Sequence, residues 1–397
     1  MPFEAFKERD YRNFWLTQFI SNIGSWMQAV AQGWLVYRLT ESPFLLGFVG
    51  FANSIPTFFL MLPGGVIADR FDRRRVVSAS QWAQALCALF LALSIRTHQI
   101  SVWQIIAAAI VTGVAMSFSA PAWQAMVVDL LDDRSRLGNA VAMNSLQFNL
   151  SRVIGPLVAA LTLSAWGSFW CFLFNALSFL PLIFILGRLT ARQKRHDDST
   201  TRMLTRIADG FRYVRGDRVI VLMLAVVAAA TMLGYPYTTL MPIAARLLYG
   251  HDDARGLGIL MGAIGTGALI GSLSIALRMP PRKLPAILAN LALFGAALCG
   301  LAITQNRIAV LALLAVAGGS VVVCIALCNT AIQQRVPDAM RGRVLSMYTF
   351  AFFGFLPFGN LLAGSIAEHR GLPLTMLAMG TATMLSAVAG FALRLRE

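Results

Sequence analysis

Charge is what this sequence has least of. Asp, Glu, Lys and Arg make up 13% of its 397 residues, about half the quarter that soluble domains carry, which excludes an ordinary soluble enzyme or binding module. The shortage is sharper for acids, with 18 Asp and Glu against 33 Lys and Arg. All of them lie in polar breaks or at the ends of apolar runs, with Asp69 and Asp129 nearest the runs. The four histidines, His98, His196, His251 and His369, also lie in breaks. A proton relay at mid-run therefore has no obvious carrier. Cysteine is scarce too, and Cys87, Cys171, Cys299, Cys324 and Cys328 all fall inside apolar runs, where Cys acts as a small hydrophobe. Cys324 and Cys328 share a helix face, but no His or acid beside them completes a metal site. No metal and no cofactor is expected. A long hydrophilic domain is missing as well, so the net charge of +15 is not a nucleic-acid face. The opening MPFEAFKERDYRNF is charged before any apolar run, so a cleavable signal peptide is not expected.

What the chain has instead is apolar runs long enough to cross ~30 Å of hydrocarbon at ~20 residues each. They fall near 14–37, 44–67, 76–95, 102–127, 138–164 and 168–187, then near 219–245, 257–277, 284–303, 308–333, 343–366 and 372–393. The expectation is an all-α integral membrane protein with twelve transmembrane helices. Residues 1–189 and 219–397 form two six-helix bundles, joined by a linker over 190–218. With the N-terminus inside, the outer loops hold only Arg38, Arg96, Arg246, Arg255, Arg307 and Arg370. Every other Lys or Arg except Arg152 is then cytoplasmic, which is the positive-inside bias and places both termini in the cytoplasm. In the linker, Leu204, Ile207, Phe211 and Val214 recur on one helical face flanked by Arg202, Arg206, Arg212 and Arg215. That pattern predicts a short basic amphipathic helix on the membrane surface, against a merely solvated linker.

The two bundles repeat one another. Met143, Phe148, Gly155, Leu157 and Gly167 match Met347, Phe352, Gly359, Leu361 and Gly371 at a constant offset of 204. A duplicated six-span unit is the parallel-repeat design of a transporter, whose substrate site lies between the halves near the bilayer midplane.

Between the second and third runs stands GGVIADRFDRRRVV, residues 64–77. It resembles motif A of the major facilitator superfamily, with the motif positions on Gly65, Asp69, Arg70, Arg73 and Arg74 and with Asp72 where a glycine is usual. The segments SNIGSWMQAVAQGWLVYRLTESPFLLG, NAVAMNSLQFNLSRVIGPLVAA, WCFLFNALSFLPL and RVPDAMRGRVLSMYTFAFFG narrow the resemblance to the drug/siderophore exporter branch that contains the enterobactin exporter. The resemblance implies a secondary exporter working by alternating access in a bacterial inner membrane, as a monomer, with protons as the coupling ion. It implies that Arg73 pairs with the acid ending span four, here Asp129, and that Asp69 meets the start of span eleven near Gly342 and Arg343. The antiporter motif of span five is present as Gly155 and Pro156, with Ala159 and Ala160 in place of the later glycines. The span-four arginine of many proton-coupled members is absent, and Trp123 stands in PAWQ where relatives have PARQ. Asp69 and Asp129 are left as the acids for coupling.

Ionisable groups within the membrane are costly and default to function, and the one mid-run charge is Arg152. Asn144, Ser145 and Asn149 share or border its face. It reads either as a cation receiving an anionic substrate or as a structural Arg capping a neighbouring span. A pump for cationic drugs would gain from a buried acid, so a neutral or anionic substrate is expected. Further cavity candidates are the polar stripe Ser21, Asn22, Ser25, Trp26, Gln28 and Gln32 on span one, Thr231, Tyr235 and Thr238 on span seven, and Tyr348 and Phe352 on span eleven. Helix–helix contact is the competing reading for each. Pro236, Pro242 and Pro357 predict kinks in spans seven and eleven. The rival functions are a multidrug or macrolide efflux pump, a lipid flippase and a membrane enzyme. The last lacks any loop cluster of catalytic groups.

Overall fold

The computed structural model describes residues 4–189, 210–250 and 254–394, and every regular element among them is a helix. After a single turn at Glu4–Lys7 come α1 (Arg9–Thr40), α2 (Pro43–Arg70), α3 (Arg73–Arg96), α4 (Val102–Asp129), α5 (Leu137–Ala165) and α6 (Ser168–Arg188). A short helix α7 covers 210–216. It is followed by α8 (Arg218–Ala229), α9 (Met241–Tyr249), α10 (Ala254–Leu277), α11 (Lys283–Ile303), α12 (Arg307–Arg335), α13 (Asp338–Gly354) and α14 (Leu356–Arg394).

Polar residues at the breaks start these helices. Asp72 accepts the Arg74 amide of α3 at 2.9 Å, and Asn306 accepts the Ile308 and Ala309 amides of α12 at 3.0 and 3.1 Å. Ser101 and Gln104 form a reciprocal capping box at the head of α4. Each such cap contributes about 1 kcal/mol by satisfying an amide the helix leaves open. Gly167 ends the α5–α6 turn at φ 87°, and Gly371 breaks α14 at φ 78°. These are repeat partners at offset 204, and both adopt a backbone that residues with a Cβ rarely take.

Ten helical stretches are long and apolar enough to cross a membrane, where the sequence pattern predicts twelve. Two features bear on that count. The polar stripe of α1 keeps that 32-residue helix out of the ten. The last stretch, Met340–Ala392, spans 53 residues, room for two crossings at 1.5 Å per residue, with the Gly371 break inside it. The run expected as span seven is divided. α8 ends at Ala229, a π-helical turn covers Ala230–Gly234 and a 3₁₀ turn Tyr235–Thr238 before α9 resumes. Pro236 and Pro242 supply no amide to the ladder there.

The chain divides into two compact units. One comprises Met1–Glu41, Ala52–Asp197 and Asp253–Ile259; the other comprises Ser42–Phe51, Asp198–Asp252 and Leu260–Glu397. In the first, the Glu4–Lys7 turn and α1 close over α3, α4, α5 and α6 through Ala5, Tyr11, Phe14, Trp15, Val77 and Met126. The Tyr11 hydroxyl donates to Ala140 O at 3.0 Å, Trp15 Nε1 to Met143 O at 3.0 Å and Gln147 Nε2 to Trp15 O at 2.6 Å. These bonds fix α1 alongside α5. In the second unit Gly234 backs onto the Phe294 ring, which a Cβ would meet at 2.2 Å, so the π turn sits directly on α11.

Of the expected linker helix, Arg202, Leu204, Arg206 and Ile207 lie outside the described residues. In α7, Val214 is buried while Phe211, Arg212 and Arg215 are exposed.

Candidate functional site

The motif A segment spans the end of α2 and the start of α3. Arg73 Nη1 donates to Asp129 Oδ2 at 2.7 Å, with both side chains about four-fifths buried. The pairing has a helix-end cause. Arg73 is the first residue of α3 and Asp129 the last of α4, so each charge sits at the end of its own helix dipole that disfavours it. Each neutralises the other. Arg74 grips Asp72 at 2.9 Å and donates to Leu189 O, the residue that follows α6. The Arg74 hydrogen bond holds the Asp72 carboxyl below the usual carboxylate range, against a smaller rise from burial. Arg136 bonds Glu8 and lies 3.5 Å from Asp133. Charged contacts thus join the ends of α3, α4 and α6, and a separate set joins those of α1 and α5. Arg70 is exposed. The surroundings of Gly65 and Asp69 lie outside the described residues. Gly342 is exposed, and the Arg343 Nη1 lies 3.3 Å from Met340 Sδ.

Among the described residues Arg152 is the one charged side chain that is buried, at 9% exposure. Its guanidinium carbon lies 6.0 Å from the centroid of the Trp26 ring, within reach of a cation–π attraction. Trp26 in turn meets Phe148 edge-on at 5.9 Å. Gly155 makes this possible, because a Cβ there would stand 2.4 Å from Trp26 Cβ. Arg152, Trp26 and Gly155 are separate features of the sequence; the structure brings them together. Gly359, the repeat partner of Gly155, serves α14 in the same way, lying against Met232 O and Pro236.

The other candidates divide by where their polar atoms go. Asn144 accepts from Tyr11 at 3.0 Å, and Asn149 donates back to Ser145 O at 2.9 Å. Ser25 donates to Ser21 O at 2.9 Å, Asn22 accepts from Gln18 at 2.9 Å, and Gln28 accepts from Asn175 of α6 at 2.7 Å. Gln32 is half-buried. In the second unit Tyr348 donates to Ile325 O at 3.0 Å, and Tyr235 meets Phe352 edge-on at 6.3 Å. Thr231 ties the π turn to Ala351 O at 3.2 Å. Pro156 is buried on α5.

Gln147 and Ser151 do not stand out in the sequence, yet both are fully buried on α5. Gln147 Oε1 and Ser151 Oγ, like Gln18 Oε1 on α1, have no hydrogen-bond partner among the described residues. Their i, i+4 spacing leading to Gly155 is the signal that could have found them. Asp217 caps α8 and accepts from Arg335 Nε at 2.6 Å. Burial pushes its carboxyl up, but Arg335 and the amides of Val219 and Ile220 more than reverse this, leaving it below the usual carboxylate range. A depressed carboxyl stabilises the fold above its unfolded value and stops doing so as pH falls through the folded one. Asp217→Asn is therefore expected to melt below wild type at pH 7, with the gap closing as the melts are repeated at acid pH. Among the described residues no three His, Cys, Asp or Glu are grouped to hold a metal ion.

The chain is similar to known proteins over almost its full length. It is 26% identical over 382 residues to the staphyloferrin A transporter of Staphylococcus aureus, covering 94% of this chain and 93% of that one. It is 25% identical over 384 residues to the multidrug efflux pump Tap of Mycolicibacterium fortuitum, with the same coverage. The enterobactin exporter EntS of Shigella boydii is 26% identical over 351 residues, 85% of this chain and 80% of that one. In fold it resembles a mutant of the nucleoside transporter NupG (TM-score 0.78, 13% identity, 96% and 99% coverage). It also resembles an inward-facing bacterial homolog of the lysosomal transporter Spinster (TM-score 0.75, 13% identity, 98% and 97% coverage). The family model described as transmembrane secretion effector matches residues 1–397, so the chain belongs to that family of the major facilitator superfamily and is a membrane transporter.

Proposed function

We propose that the protein exports a small siderophore-like organic molecule, anionic or neutral, by alternating access. It does so as a monomer of twelve transmembrane helices in two six-helix bundles, 1–189 and 219–397. On this reading both termini face the cytoplasm of a bacterium, the protein lies in its inner membrane, and protons are the coupling ion. The protein is a carrier and not an enzyme.

One observation carries the substrate class: Arg152 is the one buried charge among the described residues, and it lies against Trp26. A cation backed by an aromatic face in a low-dielectric setting attracts an anion or an electron-rich ring and repels a cation. The staphyloferrin A and enterobactin carriers among its relatives support a siderophore. The multidrug pump Tap supports the second reading, a multidrug or macrolide efflux pump.

In inverted vesicles, Arg152→Ala is expected to lower uptake of an anionic siderophore about 10- to 100-fold, the worth of a lost charge-assisted bond of about 1.5–3 kcal/mol. Arg152→Lys is expected to recover part of it. Unchanged siderophore uptake in Arg152→Ala would refute the substrate class. Uptake of cationic drugs alone by the wild type would favour the second reading. Lipid flip-flop in the same vesicles without siderophore counterflow would indicate a flippase.

A further inference from the structure

In the second unit α12 buries Cys324 and Cys328 completely, and neither is in a disulfide. Four residues apart on one helix, they stand on the same face with Cβ atoms about 5–6 Å apart. The Cys328 thiol is within hydrogen-bonding reach of that of Cys324. Tyr348 of α13 covers this turn. Its hydroxyl donates to Ile325 O at 3.0 Å, Asn329 hydrogen-bonds the same phenol, and the ring is itself buried. The other cysteines are not paired in this way, since Cys87, Cys171 and Cys299 each stand alone on α3, α6 and α11.

Two thiols held like this suit a narrow range of chemistry. A disulfide needs Cβ atoms about 3.5–4.5 Å apart, closer than successive turns of a helix bring them, so oxidation would have to unwind the turn. Zinc takes four ligands, and among the described residues no third His, Cys, Asp or Glu joins the pair. A metal satisfied by two sulfurs meets neither obstacle. It sits between them and lengthens the bridge by two metal–sulfur bonds, each about 2.3 Å for zinc, which supplies the reach a disulfide lacks. The ions that accept two soft ligands in line are copper(I), silver(I) and mercury(II), and thiolate is the ligand that selects such ions.

Charge fits the same class. The pair lies in a dry interior, where an uncompensated charge is costly. Mercury(II) exchanges two S–H bonds for two Hg–S bonds and releases both protons to water, so the loaded site is neutral. A monovalent ion reaches neutrality with one thiolate and one thiol that keeps its proton.

We propose that Cys324 and Cys328 form a two-coordinate site for one soft metal ion, covered by Tyr348. The ion enters the turn against which the Tyr348 ring rests. One turn further along α13, Ala351 O accepts from Thr231 of the π turn at 3.2 Å, so occupancy bears on the packing that holds this turn. Slower export by the loaded protein follows from the exporter reading; the site does not rest on that reading and is tested without substrate.

Full-length protein carrying Cys87→Ala, Cys171→Ala and Cys299→Ala, in nanodiscs and treated with mercuric chloride, is read by intact mass. One mercury per chain is expected, with two hydrogens lost, no chloride kept, and the metal retained in a large excess of 2-mercaptoethanol. Adding Cys324→Ala or Cys328→Ala is expected to leave at most a single-thiol adduct that keeps its chloride and is stripped by the monothiol. Joining two ligands in one site raises affinity by about 10²–10⁴-fold, and that gain is what each variant loses. Cys324→Ser and Cys328→Ser serve as a second set, and melting without metal checks that every variant is folded. The metal is expected to raise the melting temperature of the paired protein alone. Two chloride-bearing mercury atoms per chain, no metal retained by folded paired protein, or equal retention by the single-cysteine variants overturns the site. Unchanged export by the loaded protein overturns only its bearing on transport.

Discussion

Gly267→Val is expected to leave little folded protein in the membrane. A Cβ at Gly267 would stand 1.8 Å from Ala315 O and 2.7 Å from Ala315 Cα. The obstruction is backbone, so no rotamer change relieves it. The contact is also not isolated. A Cβ on Gly318 would lie 2.2 Å from Ile264 O, and one on Gly271 2.7 Å from Gly319 O. Thus α10 and α12 meet backbone to backbone along more than one turn. Within lipid, helices gain little from hydrophobic burial against each other and depend on such close contact. Overpacking a core costs typically about 1–3 kcal/mol, and a valine against two carbonyl rows belongs at or beyond the top of that range. A drop of roughly 5 °C or more in melting temperature is expected, together with reduced yield. Gly138→Ala is the matched control, because nothing lies within 4 Å of a Cβ there. It is expected to be neutral or to stabilise α5 by roughly 0.5–1 kcal/mol. Equal melting of Gly267→Val and wild type would mean that α10 and α12 do not depend on this approach.

That contact also marks where a sequence pattern stops being legible. Apolar length locates the helices well: the run at 102–127 is α4 at Val102–Asp129, and the run at 308–333 is α12 at Arg307–Arg335. These boundaries are local, set by where water-seeking residues and caps occur. The offset of 204 is legible for the same reason, and its Gly167 and Gly371 share a left-handed turn. The π turn at Ala230–Gly234 is not, because hydropathy does not register an added residue within an apolar run. Arg152, Gly155 and Trp26 are each visible, but their stacking depends on how closely two helices approach. Glu368 reads as one more loop acid, since its partners Ser42 and Phe44 are 326 and 324 residues away. What sequence pattern withholds is the pairing of helix faces, and the candidate site is made of such pairings.

The charged pair at the base of the first unit gives a prediction in which stability and transport part company. Arg73 and Asp129 meet at 2.7 Å, yet each stands at the wrong end of its own helix for its charge. Exchanging them, as Arg73→Asp with Asp129→Arg, puts an acid at the first residue of α3 and a base at the last of α4. Each helix then gains about 0.3–1 kcal/mol from its dipole, while the ion pair is kept. If the pair served only to hold the two helices together, the exchanged protein would melt above wild type and transport as well. If it belongs to a contact that must open in each transport cycle, the native arrangement is the weaker one for a reason. The expectation is therefore a double variant that melts higher than wild type and exports about tenfold more slowly. Asp129→Asn alone is expected to melt lower and also to export slowly, because the Arg73 charge loses its counter-ion. Melting curves and vesicle transport on the same preparations check both halves, and wild-type export by the exchanged pair would reduce Arg73 and Asp129 to a structural clamp.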